Sequence, residues 1–211
     1  MNIDSQRNHL RRWLREYAVW RELEAVPPGP DAPANPPGQG DVDFSREPAP
    51  AWGQIRLWPA KNAFDPPFYA LLNTQHYGGW DVLPVSPFST AALPEELQVM
   101  EAPPLQVLQG WNLRRISAGQ ACHSWYAGQL PETERFRLSL FCAWIGSGEA
   151  VPLPLEGRVG PPRVHPLDPR HDYLEAEYVR ADRALGPASR SGGQAVFPFS
   201  KAAEPEPGFE D

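Results

Sequence analysis

The sequence is poor in the residues that mark several classes of protein. It has 2 cysteines in 211 residues, too few for a disulfide-stapled secreted domain. Cys122 and Cys142 both stand among aromatic residues, so we expect two buried, reduced thiols. No apolar run approaches the ~20 residues that a membrane-spanning helix needs, and residues 1–24 lack the apolar core of a signal peptide. We therefore predict a cytoplasmic protein without a membrane partner.

Basic residues are also in deficit. The chain has 19 lysines and arginines against 26 acidic residues, a net charge of -7. Nucleic-acid-binding proteins usually carry a clustered basic excess, so this balance disfavours DNA or RNA as a partner. The glycine-rich loops that hold nucleotide phosphates are absent from the sequence, and we predict no cofactor.

Proline and aromatic residues are abundant instead. The chain contains 27 prolines, where about ten would be average for this length. Such a proline content excludes a long helical bundle or a coiled coil. Because 8 tryptophans, 9 phenylalanines and 6 tyrosines accompany the prolines, the chain has enough apolar surface to build a core. We predict an α+β protein in which extended segments interrupt a small aromatic-rich domain.

Composition shifts divide the chain into four regions. They are an amphipathic helix at 1–25, a proline-rich linker at 26–51, a β-barrel with helices at 52–186 and a disordered acidic tail at 187–211. The linker prolines favour an extended, semi-rigid coil. We therefore expect the N-terminal helix to be tethered at a distance, from where it docks on its own domain or on another molecule.

The N-terminal helix has two distinct sides. Its apolar stripe follows the i, i+3, i+4, i+7 spacing of an amphipathic helix. The stripe consists of Leu10, Trp13, Leu14, Tyr17 and Trp20. Arg7, Arg11 and Arg15 recur every fourth residue on another side. That row indicates either a solvated face or a contact strip for an acidic partner or a phosphate backbone.

Short apolar runs bounded by glycine and proline predict the β structure. The predicted strands span residues 55–58, 68–73, 80–86 and 105–109. Pro84 interrupts the third strand, which we expect to lie at a sheet edge or a bulge. Helices are predicted at 131–146 and 168–185, where Pro131 and Asp168-Pro169 provide starts. Their predicted buried faces are Phe136, Leu140, Phe141 and Trp144 in the first, and Leu174, Tyr178, Ala181 and Leu185 in the second.

One segment resembles a known family. Residues 53–90 contain Gly53-Gln54-Ile55-Arg56-Leu57-Trp58, then Pro67-Phe68-Tyr69-Ala70-Leu71-Leu72, then Trp80-Asp81-Val82-Leu83-Pro84-Val85-Ser86. This order resembles the opening of the SH3-like barrel of the MazF/PemK toxin superfamily. The resemblance implies a small antiparallel β-barrel with appended helices, often dimeric, that cleaves single-stranded RNA or targets gyrase.

The resemblance also implies site residues. The family's arginine precedes the proline of its second strand, but Pro66 holds that place here. Arg56 on the neighbouring strand is then the arginine left to stabilise charge on phosphorus. Ser86 falls on the family's Thr/Ser position. Arg56 and Ser86 are therefore the catalytic residues of a toxin-like ribonuclease hypothesis.

A metal-dependent enzyme is a further alternative. His165 and His171 flank the start of the last predicted helix, and Glu175 follows His171 by one turn. Histidine and carboxylate are common ligands of zinc and iron. Helix capping by Asp168 and ordinary surface charge explain the same residues without a metal.

The hypothesis that we favour is a non-catalytic protein-binding or regulatory module. The missing family arginine, the acidic net charge and the tethered helix motivate it. Aromatic side chains are common anchors in protein interfaces, although in a domain this small most are expected in the core. The predicted binding residues are Trp13, Tyr17, Trp20, Trp58, Tyr69 and Trp80. Another protein is the predicted partner, and a second copy in a homodimer is one form of it.

Overall fold

The structure is a computed structural model that describes residues 3–24, 44–58, 67–86, 88–99, 106–162 and 168–186. Side chains of the first helix are described from residue 7 to residue 19. The predicted tail at 187–211 and residues 26–43 of the predicted linker lie outside the described residues. Within those described ranges, no helix combines the length and the apolar composition needed to cross a bilayer.

Four helices and seven strands follow one another along the described chain. The helices are α1 (Ile3–Glu24), α2 (Ala118–Cys122), α3 (Glu132–Trp144) and α4 (Arg170–Leu185). The strands are β1 (Gln54–Trp58), β2 (Phe68–His76), β3 (Gly79–Ser86), β4 (Glu96–Gln98), β5 (Val107–Gln109), β6 (Arg114–Ser117) and β7 (Trp125–Gln129). Short 3-10 turns lie at Phe44–Arg46, Gly110–Asn112 and Leu153–Leu155.

The strands form one antiparallel sheet with the order β4-β5-β3-β2-β1-β7, and β6 pairs with β3 beside β5. The predicted α+β class is confirmed, as is the antiparallel pairing of the first three predicted strands. Over the residues that the structure describes, the sheet stays open between β4 and β7 and does not close into the predicted barrel.

The third strand is central rather than at an edge. It pairs with β2 on one side, and on the other side with β6 through residues 79–82 and with β5 through residues 85–86. Pro84 pairs with Ala70 of β2, but on the other side it lies where the neighbour of β3 changes from β6 to β5, and neither of those two pairings includes it. At the start of β3, a Cβ on Gly79 would lie 2.1 Å from the carbonyl oxygen of Ile116. Only glycine allows that close approach.

Both faces of the sheet are covered. One face carries Ile55, Leu71, Leu83, Val85, Leu97 and Leu108, which pack against Leu138 and Phe141 of α3. The other carries Trp58, Phe68, Ala70, Leu72, Trp80 and Val82, which pack against Ala121 of α2 and Ala181 and Leu185 of α4. A third cluster joins α1 to α4 and to residues 88–93. The two helices predicted after residue 130 thus serve opposite faces of one sheet.

Two predicted helix faces and one predicted thiol environment need correction. Phe136 is 65 % exposed, whereas Leu138 is buried in its place. Tyr178 is 38 % exposed, whereas Tyr173 is buried. In both helices the neighbouring sheet determines which face is buried. That face is rotated about the helix axis from the face predicted from hydrophobicity alone. Cys122 is exposed rather than buried, because it ends the short helix α2 at the surface.

Candidate functional site

Arg56, a predicted catalytic residue, is fully buried and tied to three segments of the chain. Its Nε and Nη2 donate to Oε1 of Gln54 at 3.0 and 2.6 Å, and Nη1 donates to the carbonyl oxygen of Ser124 at 3.4 Å. Nη2 also donates to the carbonyl oxygen of Pro48. Burial lowers the pKa of Arg56, while the charge of Glu47 acts in the opposite direction. This guanidinium therefore holds the segment before β1 against β1 and the turn before β7.

Ser86, the second predicted catalytic residue, is also fully buried. Its hydroxyl accepts the backbone N–H of Phe88 at 3.2 Å and lies 3.4 Å from the hydroxyl of Tyr173. Arg56 is on β1 and Ser86 is at the end of β3, with β2 between the two strands. The structure thus places the two side chains on separate strands, and neither reaches the surface.

Only one of the two predicted metal-site histidines belongs to the described residues. His165 lies outside the described residues, and His171 is exposed on the first turn of α4. Asp168 accepts hydrogen bonds from the N–H of Arg170 at 3.0 Å and from its Nε at 2.8 Å. Asp168 therefore binds both the backbone and the guanidinium of Arg170, the first residue of α4, whereas the N-cap position is held by Pro169 rather than by Asp168 as predicted. No group of three or more metal-ligating side chains occurs within the described ranges.

Three of the predicted binding aromatics belong to the core around the sheet. Trp58 and Trp80 are buried on the side of α2 and α4, and the indole N–H of Trp58 donates to the carbonyl oxygen of Gln120 at 3.2 Å. Tyr69 is half-buried against the α3 side. Trp58 and Trp80 therefore take the core role that the sequence left open, whereas Tyr69 keeps part of its surface exposed. The side chain of Trp20 lies outside the described residues.

Trp13 and Tyr17 occupy a groove in the body of the protein. We define the α1 groove by the side chains that receive them. These are Phe88, Ala92, Leu93, Trp111 and Tyr173. Trp13 is 0 % exposed and stacks on Tyr17 with ring centroids 4.9 Å apart. Its indole also meets Tyr173 edge-on at 5.5 Å, and such aromatic pairs add stabilisation beyond their buried area.

Polar contacts fix α1 along the rim of the groove. Glu16 accepts the N–H of Ser89 at 2.8 Å and its hydroxyl at 2.6 Å. Arg12 donates to the same hydroxyl at 3.0 Å. His9 lies 2.6 Å from the carbonyl oxygen of Ala91. Together with the two aromatic anchors, these bonds set both the position and the orientation of α1 on the body.

A buried carboxyl group supports the floor of the α1 groove. Glu96 accepts hydrogen bonds from the Tyr173 hydroxyl at 2.7 Å, the Trp111 indole at 3.0 Å and the N–H of Ala92 at 2.5 Å. Burial raises the pKa of Glu96 to about 7, although these hydrogen bonds lower it. Burial also raises the pKa of Tyr173 well above its ordinary value. The Glu96 side chain thus holds three residues that shape the groove, Tyr173, Trp111 and Ala92.

The polar network continues from the groove floor to α4. Gln109 donates to the Tyr173 hydroxyl at 3.1 Å and to Glu177 at 2.7 Å. Asn112 donates to Gln109 at 3.0 Å and accepts from Arg114 at 2.9 Å. Burial raises the pKa of Glu177. The side chains of this hydrogen-bond network are buried. The network therefore holds the groove floor rigidly and offers no route for a substrate.

A second groove lies between α3 and the 3-10 turn at Leu153–Leu155. It encloses about 370 Å³ and is lined by Glu132, Thr133, Phe136, Arg137 and Pro154. Phe136 on its wall and nearby Leu153 are 65 % and 80 % exposed. This surface is apolar and shallow, and none of the described residues covers it.

Comparisons of the sequence with known protein families, curated proteins and solved structures found no match. The α1 groove therefore has to be interpreted from its own chemistry. Sequence reasoning found its two anchors, Trp13 and Tyr17, from their helical spacing. It missed Phe88, Glu96 and Tyr173. The first two stand in no periodic pattern, and the third is adjacent to the residue assigned to the buried face of α4.

Proposed function

We propose that this protein is a non-catalytic protein-binding module whose α1 groove receives an amphipathic helix. In this chain α1 itself is the resident occupant, and a helix of a partner protein is its competitor. The observation that carries the proposal is the seating of Trp13 and Tyr17 in a groove with a buried, hydrogen-bonded floor. Aromatic anchors from one face of a helix, placed in an apolar groove, are a recurring mode of protein recognition.

The position of α1 in the chain supports an exchangeable helix. α1 packs against residues 88–93, which connect β3 to β4, whereas Phe44 returns to the body near β7, where its ring lies 5.5 Å from that of Trp125. β4 and β7 are the opposite edge strands of the sheet. Residues 25–43 connect the two places and span at most about 65 Å when fully extended. α1 also pairs with no strand, so its departure breaks no ladder of the sheet.

The tether sets how strongly a partner must bind. A segment on a short linker reaches its own groove at an effective concentration of roughly millimolar. A competing helix must therefore exceed α1 in intrinsic affinity, or α1 must be held elsewhere when the partner binds. A second copy of the chain carries the same anchors, so the homodimer stays a prediction that light scattering across protein concentrations tests.

A peptide-exchange experiment tests the proposal. In the full chain, Trp13→Ala with Tyr17→Ala removes both anchors and vacates the groove. A fluorescent peptide of residues 3–24 should then bind this variant at least tenfold more tightly than it binds the wild-type chain, because the intramolecular competitor is gone. The same peptide with Trp13→Ala should not bind. Circular dichroism of the variant chain confirms that the sheet is intact.

Equal binding of the peptide to both chains contradicts the proposal, as does absence of binding to a folded variant. If the groove is a receptor, partners captured by the variant chain must also be displaced by the wild-type peptide. A partner that stays bound under saturating peptide uses another surface.

No arrangement of the described residues favours the ribonuclease or the metal-dependent enzyme. A ribonuclease that used Arg56 and Ser86 would need both side chains to reach RNA, and both are buried. The metal-enzyme alternative depends on His165, which lies outside the described residues. We retain the SH3-like class and the MazF/PemK kinship as proposals, supported by the consecutive antiparallel order of β1, β2 and β3. An experimental structure that covers residues 59–66 and 100–105 tests whether the sheet closes.

A further inference from the structure

Docked α1 presents a positively charged face to solvent. Arg7, Arg11 and Arg15 are all exposed, and they lie on one stripe of about 12 Å because the helix rises about 1.5 Å per residue. No acidic residue is exposed between positions 7 and 19. The one acid in that stretch, Glu16, is bound to Ser89 on the body. The stripe is therefore a local cationic surface on an acidic protein of net charge -7.

These three arginines differ from most others in the protein. Among the described residues, the structure gives Arg7, Arg11 and Arg15 no hydrogen bond or ion pair. Arginines that do bind a carboxylate, an amide or a carbonyl group include Arg56, Arg114, Arg115, Arg137, Arg158, Arg170 and Arg180. Within the part of the chain that the structure describes, the guanidinium groups of the stripe keep all their donors available for a second molecule.

Apolar side chains flank the same stripe. Leu14 is 37 % exposed and Val19 is 58 % exposed. On a helical projection Leu14 lies beside Arg7 and Arg11, whereas Val19 follows Arg15 by one turn. A charged row bordered by apolar residues matches an amphipathic segment of opposite charge, which buries its own apolar side chains while its carboxylates meet the guanidinium groups.

We propose that this outward face of α1 binds an acidic, amphipathic polypeptide segment of a partner protein. Carboxylates of that segment pair with Arg7, Arg11 and Arg15, and its apolar side chains pack on Leu14 and Val19. The net negative charge of the whole protein works against a long nucleic acid, and the apolar border gives a polypeptide contacts that a phosphate backbone lacks. The proposal rests on the docking of α1, but it does not require that α1 leave its groove.

A binding experiment on the full chain tests this surface. The probe is a fluorescent 18-residue helical peptide with Glu and Leu at i, i+4 spacing, and its control has Gln in place of every Glu. The wild-type chain should bind only the acidic peptide, and more weakly at 200 mM than at 50 mM salt. The triple variant Arg7→Gln, Arg11→Gln, Arg15→Gln should bind about tenfold more weakly or worse.

Matched variants separate this face from general charge effects. Arg11→Gln should weaken binding, whereas Arg46→Gln, an exposed arginine away from α1, should not. Equal losses in the two variants overturn the proposal, and so does binding of the neutral peptide or tighter binding of a single-stranded RNA of equal charge. Hydrogen exchange of α1 should be unchanged in the triple variant. Loss of that protection would instead show that the arginines serve docking, which also overturns the proposal.

Discussion

Replacing Trp13 with alanine should release α1 from the body while the sheet remains folded. Trp13 is 0 % exposed and contacts Tyr17, Phe88 and Tyr173. Truncation of a buried tryptophan to alanine costs about 3–5 kcal/mol. The buried indole N–H of Trp13 has no hydrogen-bond partner among the described residues, and its removal returns about 1 kcal/mol of desolvation cost. The net loss is about 2–4 kcal/mol.

That loss falls on docking rather than on the whole fold. The interactions left to hold α1 are the Tyr17 contacts, the bonds of Glu16 and Arg12 to Ser89 and the contact of His9 with Ala91, and hydrogen bonds of this kind contribute about 1 kcal/mol each. Most of the stability of an amphipathic helix in a protein comes from the tertiary packing of its apolar face. Released α1 should therefore lose its backbone hydrogen bonds as well as its side-chain contacts.

Hydrogen exchange followed by mass spectrometry measures this directly. Protection of amides in residues 7–19 should fall by about 30- to 1000-fold in Trp13→Ala, whereas amides of β2 and β3 should keep theirs. Val19→Ala is the matched control, because Val19 lies on the same helix and is 58 % exposed. If β2 and β3 lose protection together with α1, the helix belongs to one cooperative unit with the sheet and the reasoning is wrong. Unchanged protection of α1 refutes it equally.

Three further predictions concern stability. Burial raises the pKa of Glu96 to about 7, so the folded chain keeps a proton on this carboxyl group at pH values where the unfolded chain has already lost it. The free energy of unfolding should therefore fall by up to about 3 kcal/mol as pH rises from 5 to 8. In urea titrations at both pH values, Glu96→Gln should flatten this slope, and an equally steep slope in the variant would contradict the assignment. Arg56→Met should lower the free energy of unfolding by about 3 kcal/mol, because it removes the hydrogen bonds that the buried guanidinium donates to Gln54, Ser124 and Pro48. The exposed Arg46→Met should have no measurable effect, and similar losses in both would count against a structural role. Gly79→Ala should lower the melting temperature by several degrees, because the new Cβ meets the Ile116 carbonyl, whereas Gly119→Ala, whose Cβ has 3.8 Å of clearance, should not.

Local pattern predicted much of the secondary structure. The spacing of Trp13 and Tyr17 predicted α1, and the boundary residues Pro131 and Asp168 predicted the starts of α3 and α4. The short runs that became β1, β2 and β3 were also recognisable. By contrast β4 has three residues and β7 has the sequence Trp-Tyr-Ala-Gly-Gln. Neither is long or regular enough for its pattern to differ from that of a loop.

Site residues were harder to predict than elements, since burial of a polar group depends on partners far away in the chain. Arg56 and Ser86 belong to residue types that are mostly exposed. Their burial depends on acceptors and donors at Ser124 and Tyr173, which are 68 and 87 residues away. A sequence window cannot register such partners.

The sequence by itself determined that α1 is an amphipathic helix with Trp13 and Tyr17 on one side and an arginine row on another, because helical periodicity is a local property. Only the tertiary structure decided where the aromatic side goes. Ser89, which holds Glu16, is 73 residues away, and Tyr173 reaches the same groove from the last helix. Folding of the sheet brings these groups together, and that assembly makes a stripe of apolar residues into a docked helix with its arginines facing outward.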